Sequence, residues 1–308
     1  MVSSDNRFNR RTFVVGALGG ASLLGSAGFL AACGEDDKND ASASDSKSST
    51  TIPGKVGGPE IFGVRSSTDV AVGENRVAFG IVSQKDSVVK EISQGTVKVG
   101  FSNDGKAPQE FIDATLRDQG LDGRGLFTVQ YDFDKAGIWD MAIQLDGKEL
   151  PEPLSWQVAD KFAVAAPGDK APTAASPTVG DPMGVDPLCT RDPACDFHQD
   201  NLADVIGAGK PVVVLFATPA LCQTRFCGPV LDLMIETETD FADAVIPVHV
   251  EIYKGAAIDE PVVPTVEAWG LPSEPWMFAI DGDGNIKARL DGAFDRAEIR
   301  SLFESVAS

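Results

Sequence analysis

The chain has 308 residues, of which 43% are hydrophobic, and it carries a formal net charge of −20. This length is enough for about two domains of ordinary size, and the apolar fraction is enough for packed cores. Because a protein that binds phosphates needs a basic face, the charge argues against nucleic acid as a partner.

The first 33 residues have the pattern of an export signal. Arg10 and Arg11 stand side by side with Phe13 two places on, and this resembles the twin-arginine export signal. An apolar stretch follows over 14–29, and Cys33 comes after a Leu-Ala-Ala sequence, which resembles a bacterial lipobox. The resemblance implies that Cys33 carries a diacylglycerol, so that the lipoprotein is anchored on the extracytoplasmic face of the cell membrane. A plain transmembrane anchor is the alternative, although the apolar run is short and Gly-rich for one.

The next two regions are predicted to be a flexible linker, 34–58, and an all-β sandwich domain, 59–165. The linker has almost no apolar side chains to bury. Runs at 96–101, 127–133 and 137–145 alternate apolar and polar residues, and about seven short strands over such a length are typical of a sandwich. The last two strands resemble those of immunoglobulin-like domains. Because the domain contains no Cys and no His, we expect a spacer or a partner-docking module.

The remaining chain is predicted to be a second linker, 166–187, and a domain of strands and helices, 188–308. The linker is rich in Pro, Gly, Ala and Asp. The run 212–216 is continuously apolar, as expected of a strand buried on both faces. The other predicted elements are a helix at 201–209, a helix after the cysteine turn, a strand at 244–252, a hairpin of strands 276–280 and 286–290, and a final amphipathic helix at 294–306.

Three features of 188–308 resemble the thioredoxin superfamily. The first is the buried strand that leads through a cysteine turn into a helix. The second is Cys227-Gly228-Pro229, which is similar to the family's Cys-Gly-Pro-Cys. The third is Glu274-Pro275 directly before a strand, where the family keeps a cis-proline that faces its active cysteines. The resemblance implies an α/β thioredoxin-like fold, thiol–disulfide exchange with exported protein thiols or disulfides as partners, and no cofactor.

The chain also departs from the family pattern. Cys222 and Cys227 are separated by four residues instead of two, and Val230 stands where the family has its second cysteine. Either Cys222 takes the place of the family's first cysteine, or Cys227 does and Cys222 comes from an enlarged loop. The buried acid that the family carries on the preceding strand is missing from 212–216, so the proton that the exchange needs has no evident acceptor.

The start of a helix favours the chemistry of a reactive thiol. Its unpaired N–H groups and partial positive charge stabilise a thiolate and lower the thiol pKa. A bond between Cys222 and Cys227 requires the former in the loop and the latter in the first helical turn. We therefore expect Cys222 to attack, Cys227 to resolve the mixed disulfide and Pro275 to shape the substrate groove. The alternative is a structural disulfide in a non-catalytic binding lipoprotein.

The second cysteine pair, Cys189 and Cys195, lies before the first helix of this domain. A structural disulfide that closes the intervening loop is predicted, and a second redox pair is the alternative. His198 and His249, the only histidines, are expected to be ordinary core or surface residues. Copper-carrying relatives of thioredoxin combine two cysteines with a distant histidine, and Cys222, Cys227 and His249 form the corresponding alternative set, although the family spacing differs. No metal site is predicted.

Overall fold

The computed structural model describes residues 60–307 apart from 86–87, 104 and 223. The predicted export signal with Arg10, Arg11, Phe13 and Cys33, and the predicted linker 34–58, lie outside the described residues. No helix among the described residues is long and apolar enough to cross a membrane.

The N-terminal part consists of two five-stranded sheets. One has the order β1-β2-β7-β6 with β3 paired to β2, and the other has the order β10-β8-β4-β5 with β9 paired to β8. The strands are β1 Ile61–Arg65, β2 Gly73–Lys85, β3 Val88–Glu91, β4 Val97–Ser102, β5 Ile112–Asp113, β6 Thr115–Arg117, β7 Leu126–Phe133, β8 Gly137–Leu145, β9 Lys148–Glu149 and β10 Leu154–Val158. The all-β character is as predicted, while immunoglobulin-like topology stays a prediction.

Alternation along the strands places one set of side chains between the sheets. Phe127, Val129 and Phe133 of β7 are buried there together with Trp139 and Trp156 of the opposite sheet. These side chains follow the two-residue period that the sequence showed. The aromatic residues of this part therefore form its core.

The C-terminal part contains one four-stranded sheet in the order β12-β11-β13-β14, in which β11 is parallel to β12 and antiparallel to β13. The elements are α1 Leu202–Val205, β11 Val212–Phe216, α2 Cys227–Glu238, β12 Ile246–Val250, α3 Pro264–Trp269, β13 Trp276–Ile280, β14 Ile286–Asp291 and α4 Arg296–Glu304. This order agrees with the predicted thioredoxin-like domain. Helix α3 is absent from the elements predicted above; its first residue is a proline, a residue well suited to the first helical turn.

Strand β11 is buried along its whole length because it has a core on each side. Val213 and Leu215 pack with residues of α2 and α4, whereas Val212, Val214 and Phe216 pack with residues of α3 and β12. The continuous apolar run is thus explained by two covered faces.

The segment predicted to be a linker, 166–187, is bonded to the β13–β14 hairpin. The N–H of Gly168 donates to the carbonyl of Ile286, and the N–H of Ala171 donates to the carbonyl of Gly284. Ala171 and Val185 are buried in the same core as β11. The segment is therefore part of the C-terminal core and does not behave as a free linker.

The two parts share a buried ionic contact. Arg76 of β2 donates from Nε and Nη2 to the two carboxylate oxygens of Glu298 in α4, at 2.7 and 2.8 Å. The two side chains are only 10% and 9% exposed. Arg289 of β14 forms a second buried pair, in which its Nη1 atom donates to one carboxylate oxygen of Asp69 at 2.8 Å. Removing one partner of such a pair leaves a buried charge uncompensated, so these contacts hold the two parts in one arrangement.

Candidate active site

The first cysteine pair lies where β11 gives way to α2. Cys222 is in the loop, Cys227 is the first residue of α2, and a disulfide joins them with their Cα atoms 6.0 Å apart. The N–H of Arg225 donates to the carbonyl of Cys222 at 3.1 Å, and Arg225 has a left-handed φ of 61°. This hydrogen bond and the left-handed backbone of Arg225 lie directly before the start of α2.

The two cysteines of this pair differ in their surroundings. Cys222 is 8% exposed, whereas Cys227 is fully buried. The Oγ1 atom of Thr224 lies 3.2 Å from the Sγ atom of Cys222. Exposure therefore favours Cys222 as the thiol that a substrate reaches, while the helix start belongs to Cys227.

A carboxyl group that the sequence analysis did not assign lies next to Cys227. The Oε2 atom of Glu274 is 3.5 Å from the Sγ atom of Cys227 and accepts the N–H of Thr218 at 2.7 Å. Burial of the carboxyl raises the pKa of Glu274 to about 8. A buried carboxyl, which β11 lacks, is therefore present beside Cys227 on the segment that leads into β13.

The strand register explains why Glu274 arrives there. Phe216 at the end of β11 pairs with Trp276 at the start of β13, so the residues just beyond them, Thr218 and Glu274, also face each other. The peptide bond between Glu274 and Pro275 is cis, as the resemblance implied. The sequence motif Glu274-Pro275 predicted a role for the proline only, although the side chain of Glu274 lies next to the sulfur of Cys227.

The second cysteine pair is not bonded. Cys189 and Cys195 are free thiols with their Sγ atoms 3.8 Å apart. The Nδ1 atom of His249 lies 3.5 Å from the sulfur of Cys195 and 3.8 Å from that of Cys189. The Nε2 atom of His198 lies 3.4 Å from the sulfur of Cys195 and 3.2 Å from Nδ1 of His249. The structure thus differs from the predicted disulfide: the two sulfurs are too far apart to be bonded, and two imidazoles lie beside them.

Both histidines are buried, but they are not isolated core residues. His249 lies on β12, and the N–H of its backbone donates to the carbonyl of Phe197, which holds the segment with His198 against the strand. His249 groups with Cys189 and Cys195, while the group around Cys222 and Cys227 is completed by Glu274. The structure therefore does not bring together Cys222, Cys227 and His249, which were the alternative set of copper ligands. Cys189, Cys195 and His198 lie close together in the sequence, and this spacing could have indicated that they form a cluster.

The two clusters are linked by backbone contacts. The N–H of Ala220, in the loop before Cys222, donates to Oγ1 of Thr190, and the N–H of Thr190 donates to the carboxylate of Glu251, the residue that follows β12. The Nε2 atom of His249 lies 2.9 Å from the carbonyl oxygen of Ala217. The loop that carries Cys222 therefore packs on the loop that carries Cys189.

No protein-family model and no curated protein matches the chain. Among solved structures, a protein of Chlorobium tepidum designated as thiol:disulfide interchange protein DsbE is 20% identical with a TM-score of 0.31, over 46% of this chain and 95% of that one. A thioredoxin-family thiol:disulfide interchange protein of Chlorobium tepidum TLS is 16% identical with a TM-score of 0.32, over 47% and 100%. The Lin-41 filamin domain is 12% identical with a TM-score of 0.24, over 33% and 95%.

Proposed function

We propose that the protein is an extracytoplasmic, membrane-anchored thiol–disulfide oxidoreductase of thioredoxin-like type. The observation that carries the proposal is the Cys222–Cys227 disulfide at a strand-to-helix turn, with the carboxyl of Glu274 3.5 Å from Cys227. A disulfide, a more accessible sulfur and an adjacent group with a pKa of about 8 are the parts that exchange requires.

The reaction starts from the reduced pair. The thiolate of Cys222 bonds to one sulfur of a substrate disulfide, the substrate S–S bond breaks, and the other substrate sulfur leaves as a thiolate that takes a proton. Cys227 then gives its proton to the ionised form of Glu274, which is the minor form at neutral pH because the pKa is about 8, and attacks the sulfur of Cys222. The mixed disulfide breaks and the second substrate sulfur leaves, so that two electrons have reduced the substrate and Cys222–Cys227 is oxidised.

The same steps in reverse oxidise a substrate dithiol. Cys227 then leaves as a thiolate and takes the proton of Glu274, which is held mainly in its protonated form at neutral pH by a pKa of about 8. The O–H of Thr224 is placed to donate to a thiolate on Cys222. The cis-proline Pro275 lies at the end of β13 that faces this turn, and we assign it the shaping of the substrate groove.

The roles are tested by trapping the mixed disulfide. Both variants are made in the Cys189→Ser/Cys195→Ser background, because those two free thiols would also react. A Cys227→Ser variant incubated with a small disulfide such as oxidised glutathione is expected to keep one adduct on Cys222, identified by peptide mass spectrometry. A Cys222→Ser variant is expected to form none, because the sulfur of Cys227 is fully buried. An adduct confined to Cys227 would reverse the assigned roles.

A second candidate is a binding lipoprotein whose Cys222–Cys227 bond is structural, and the low exposure of Cys222 favours it. The reduction potential decides between the two, measured with Cys189→Ser/Cys195→Ser as the background. A value of about −120 to −270 mV is the range of exchange proteins. A value below about −300 mV would mark a structural bond and overturn the catalytic proposal.

The membrane anchor is tested separately. A lipid on Cys33 and export through Arg10 and Arg11 are supported by the sequence pattern. A Cys33→Ser variant is expected to move from the membrane fraction to the soluble extracytoplasmic fraction. Retention of that variant in the membrane would point to the transmembrane anchor instead.

A further inference from the structure

Cys189, Cys195, His198 and His249 have the mutual distances of ligands around one ion. Tetrahedral zinc has Zn–S bonds of about 2.3 Å and Zn–N bonds of about 2.0–2.1 Å, which places ligand atoms about 3.8 Å (S to S), 3.6 Å (S to N) and 3.3 Å (N to N) apart. The corresponding distances here are 3.8 Å between the sulfurs, 3.4, 3.5 and 3.8 Å for three of the four sulfur–nitrogen pairs, and 3.2 Å between the nitrogens. All four atoms lie within 4.8 Å of one another.

The hydrogen bond of His249 directs the lone pair of its Nδ1 atom toward the centre of the four ligand atoms. Because a carbonyl oxygen only accepts hydrogen bonds, the Nε2 atom of His249 must donate to Ala217 at 2.9 Å. The Nδ1 atom of the neutral ring is then unprotonated and faces both sulfurs. Histidines that bind metals characteristically donate their other N–H to a carbonyl or a carboxylate in this way.

His198 is also turned toward the centre. It is 3% exposed, and its Nε2 atom faces Cys195 and His249. Its Nδ1 atom has no hydrogen-bond partner among the described residues. Nε2 is therefore the ring nitrogen that is directed into the cluster.

The donors come from separate elements that the fold holds in place. His249 is on β12, while the three other donors lie on the segment before α1, which is fixed to β12 through Phe197. Thr190, next to Cys189, is bonded to Glu251 through both its N–H and its hydroxyl. A surface groove opens onto Cys195 and is bordered by Asp196, Asp200 and Glu238, so that a cation has a route to the cluster.

We propose that Cys189, Cys195, His198 and His249 bind one zinc ion in a tetrahedral site that is separate from the Cys222–Cys227 pair. Two sulfurs with two imidazole nitrogens are a ligand set that zinc takes in structural sites. On binding, two S–H bonds break, two Zn–S bonds form, and two protons leave for the solvent without any electron transfer. The ion would join the Cys189 loop to β12 and protect its thiols from oxidation.

The test uses the full chain with Cys222→Ser and Cys227→Ser, purified under reducing, anaerobic conditions, so that failure of the exchange proposal does not affect the result. Zinc is titrated in competition with a chromophoric chelator, and cobalt(II) is used as a spectroscopic probe. We expect one ion per chain and a cobalt spectrum with tetrahedral bands and a thiolate charge-transfer band. His198→Ala and Cys195→Ser are each expected to weaken zinc binding at least a hundredfold, whereas Asp204→Asn, at an exposed position of α1 outside the cluster and the groove, serves as the matched control and retains it.

Each other outcome overturns the proposal. These outcomes are no zinc bound in the parent protein, equal affinity after loss of Cys189 and Cys195, or an octahedral cobalt spectrum without the thiolate band. Binding of copper(I) without zinc would assign the cluster to a soft monovalent ion instead. Thermal unfolding of the metal-free variants, compared with the metal-free parent, shows whether a lost affinity comes from a lost fold.

Discussion

The two cysteine pairs of the C-terminal part lie close together and have similar sequence separations, yet their surroundings differ. Cys222 and Cys227 are bonded and have one carboxyl beside the inner sulfur. Cys189 and Cys195 are unbonded and have two imidazoles beside their sulfurs. A carboxyl group can exchange a proton with a thiol, whereas neutral imidazoles can bind a metal cation together with thiolates. The neighbours of a cysteine pair, more than its spacing, therefore indicate its chemistry.

The largest expected effect is a difference between substitutions in the two pairs. A substitution in the Cys222–Cys227 pair should abolish exchange activity, whereas a substitution of Cys195 should not. Cys222→Ser removes the attacking sulfur, so the reduction of a protein disulfide in the presence of dithiothreitol should fall to the uncatalysed rate. Cys195→Ser should retain at least about half of the activity, since it leaves Cys222, Cys227 and Glu274 in place. Equal losses in both variants would remove the distinction between the pairs.

The next effect concerns the proton of Cys227. Replacing Glu274 by Gln keeps the size of the side chain but removes its acid–base function, and we expect the exchange rate at pH 7 to fall about a hundredfold. The wild-type rate should change with a pKa near the value of about 8 that burial gives Glu274, and this dependence should be missing from the variant. A variant with the wild-type pH profile would show that Glu274 takes no part.

The third effect concerns metal removal at the second pair. A free zinc concentration of about 100 times Kd should stabilise the native chain by about 2.7 kcal/mol. Unfolding in denaturant with zinc or with a chelator measures this difference. The stabilisation should be absent from His198→Ala and unchanged in Glu274→Gln, which restricts it to one cluster.

An effect that is smaller per pH unit is the pH dependence of stability that Glu274 contributes. Its pKa is about 8 in the folded chain and about 4.3 when unfolded, so the unfolded state loses its proton first as the pH rises. The contribution is therefore fully present below about pH 4.3 and decreases up to about pH 8, by at most about 1.4 kcal/mol per pH unit. The free energy of unfolding of Glu274→Gln, measured at several pH values, should lack this decrease. Parallel curves for the two proteins would contradict it.

The smallest effect is expected at the salt bridge that joins the two sites on the surface. Arg191, in the loop between Cys189 and Cys195, pairs with Asp232 of α2 at 2.6 Å, and the side chains are 25% and 52% exposed. Arg191→Ala should cost less than about 1 kcal/mol in unfolding free energy, because solvent screens such pairs. It should change neither zinc affinity nor exchange rate, and a large change in either would show that the two sites depend on this contact.

Local patterns predicted the sheet of the C-terminal part and the cysteine turn. The apolar run 212–216 became a strand covered on both faces, and the bond before Pro275 is cis. The position of His249 could not be predicted in this way, because its partners lie on a segment more than 50 residues earlier. Alternation within a strand specifies a face but not the residues that will cover it.

The contact between the N-terminal and C-terminal parts could not be predicted from the sequence for the same reason. Ala78 and Leu126 are buried in one core with α2 and α4, although strand alternation alone places them on the outer face of their sheet. Arg76 had no sequence signal for its pairing with Glu298, which lies more than 200 residues away. Such long-range partners follow from how the domains meet, and a single sequence contains little information about that.

The peptide group between Ala217 and Thr218 belongs to both clusters. Its oxygen accepts from His249 and its N–H donates to Glu274. Because the amide is a conjugated planar unit, polarisation of the oxygen makes the N–H a stronger donor. Substitution of His249 would therefore disturb the electronic environment of both sites at once, whereas His198, with no such bond to the shared amide, can be changed to examine the thiol–imidazole cluster alone.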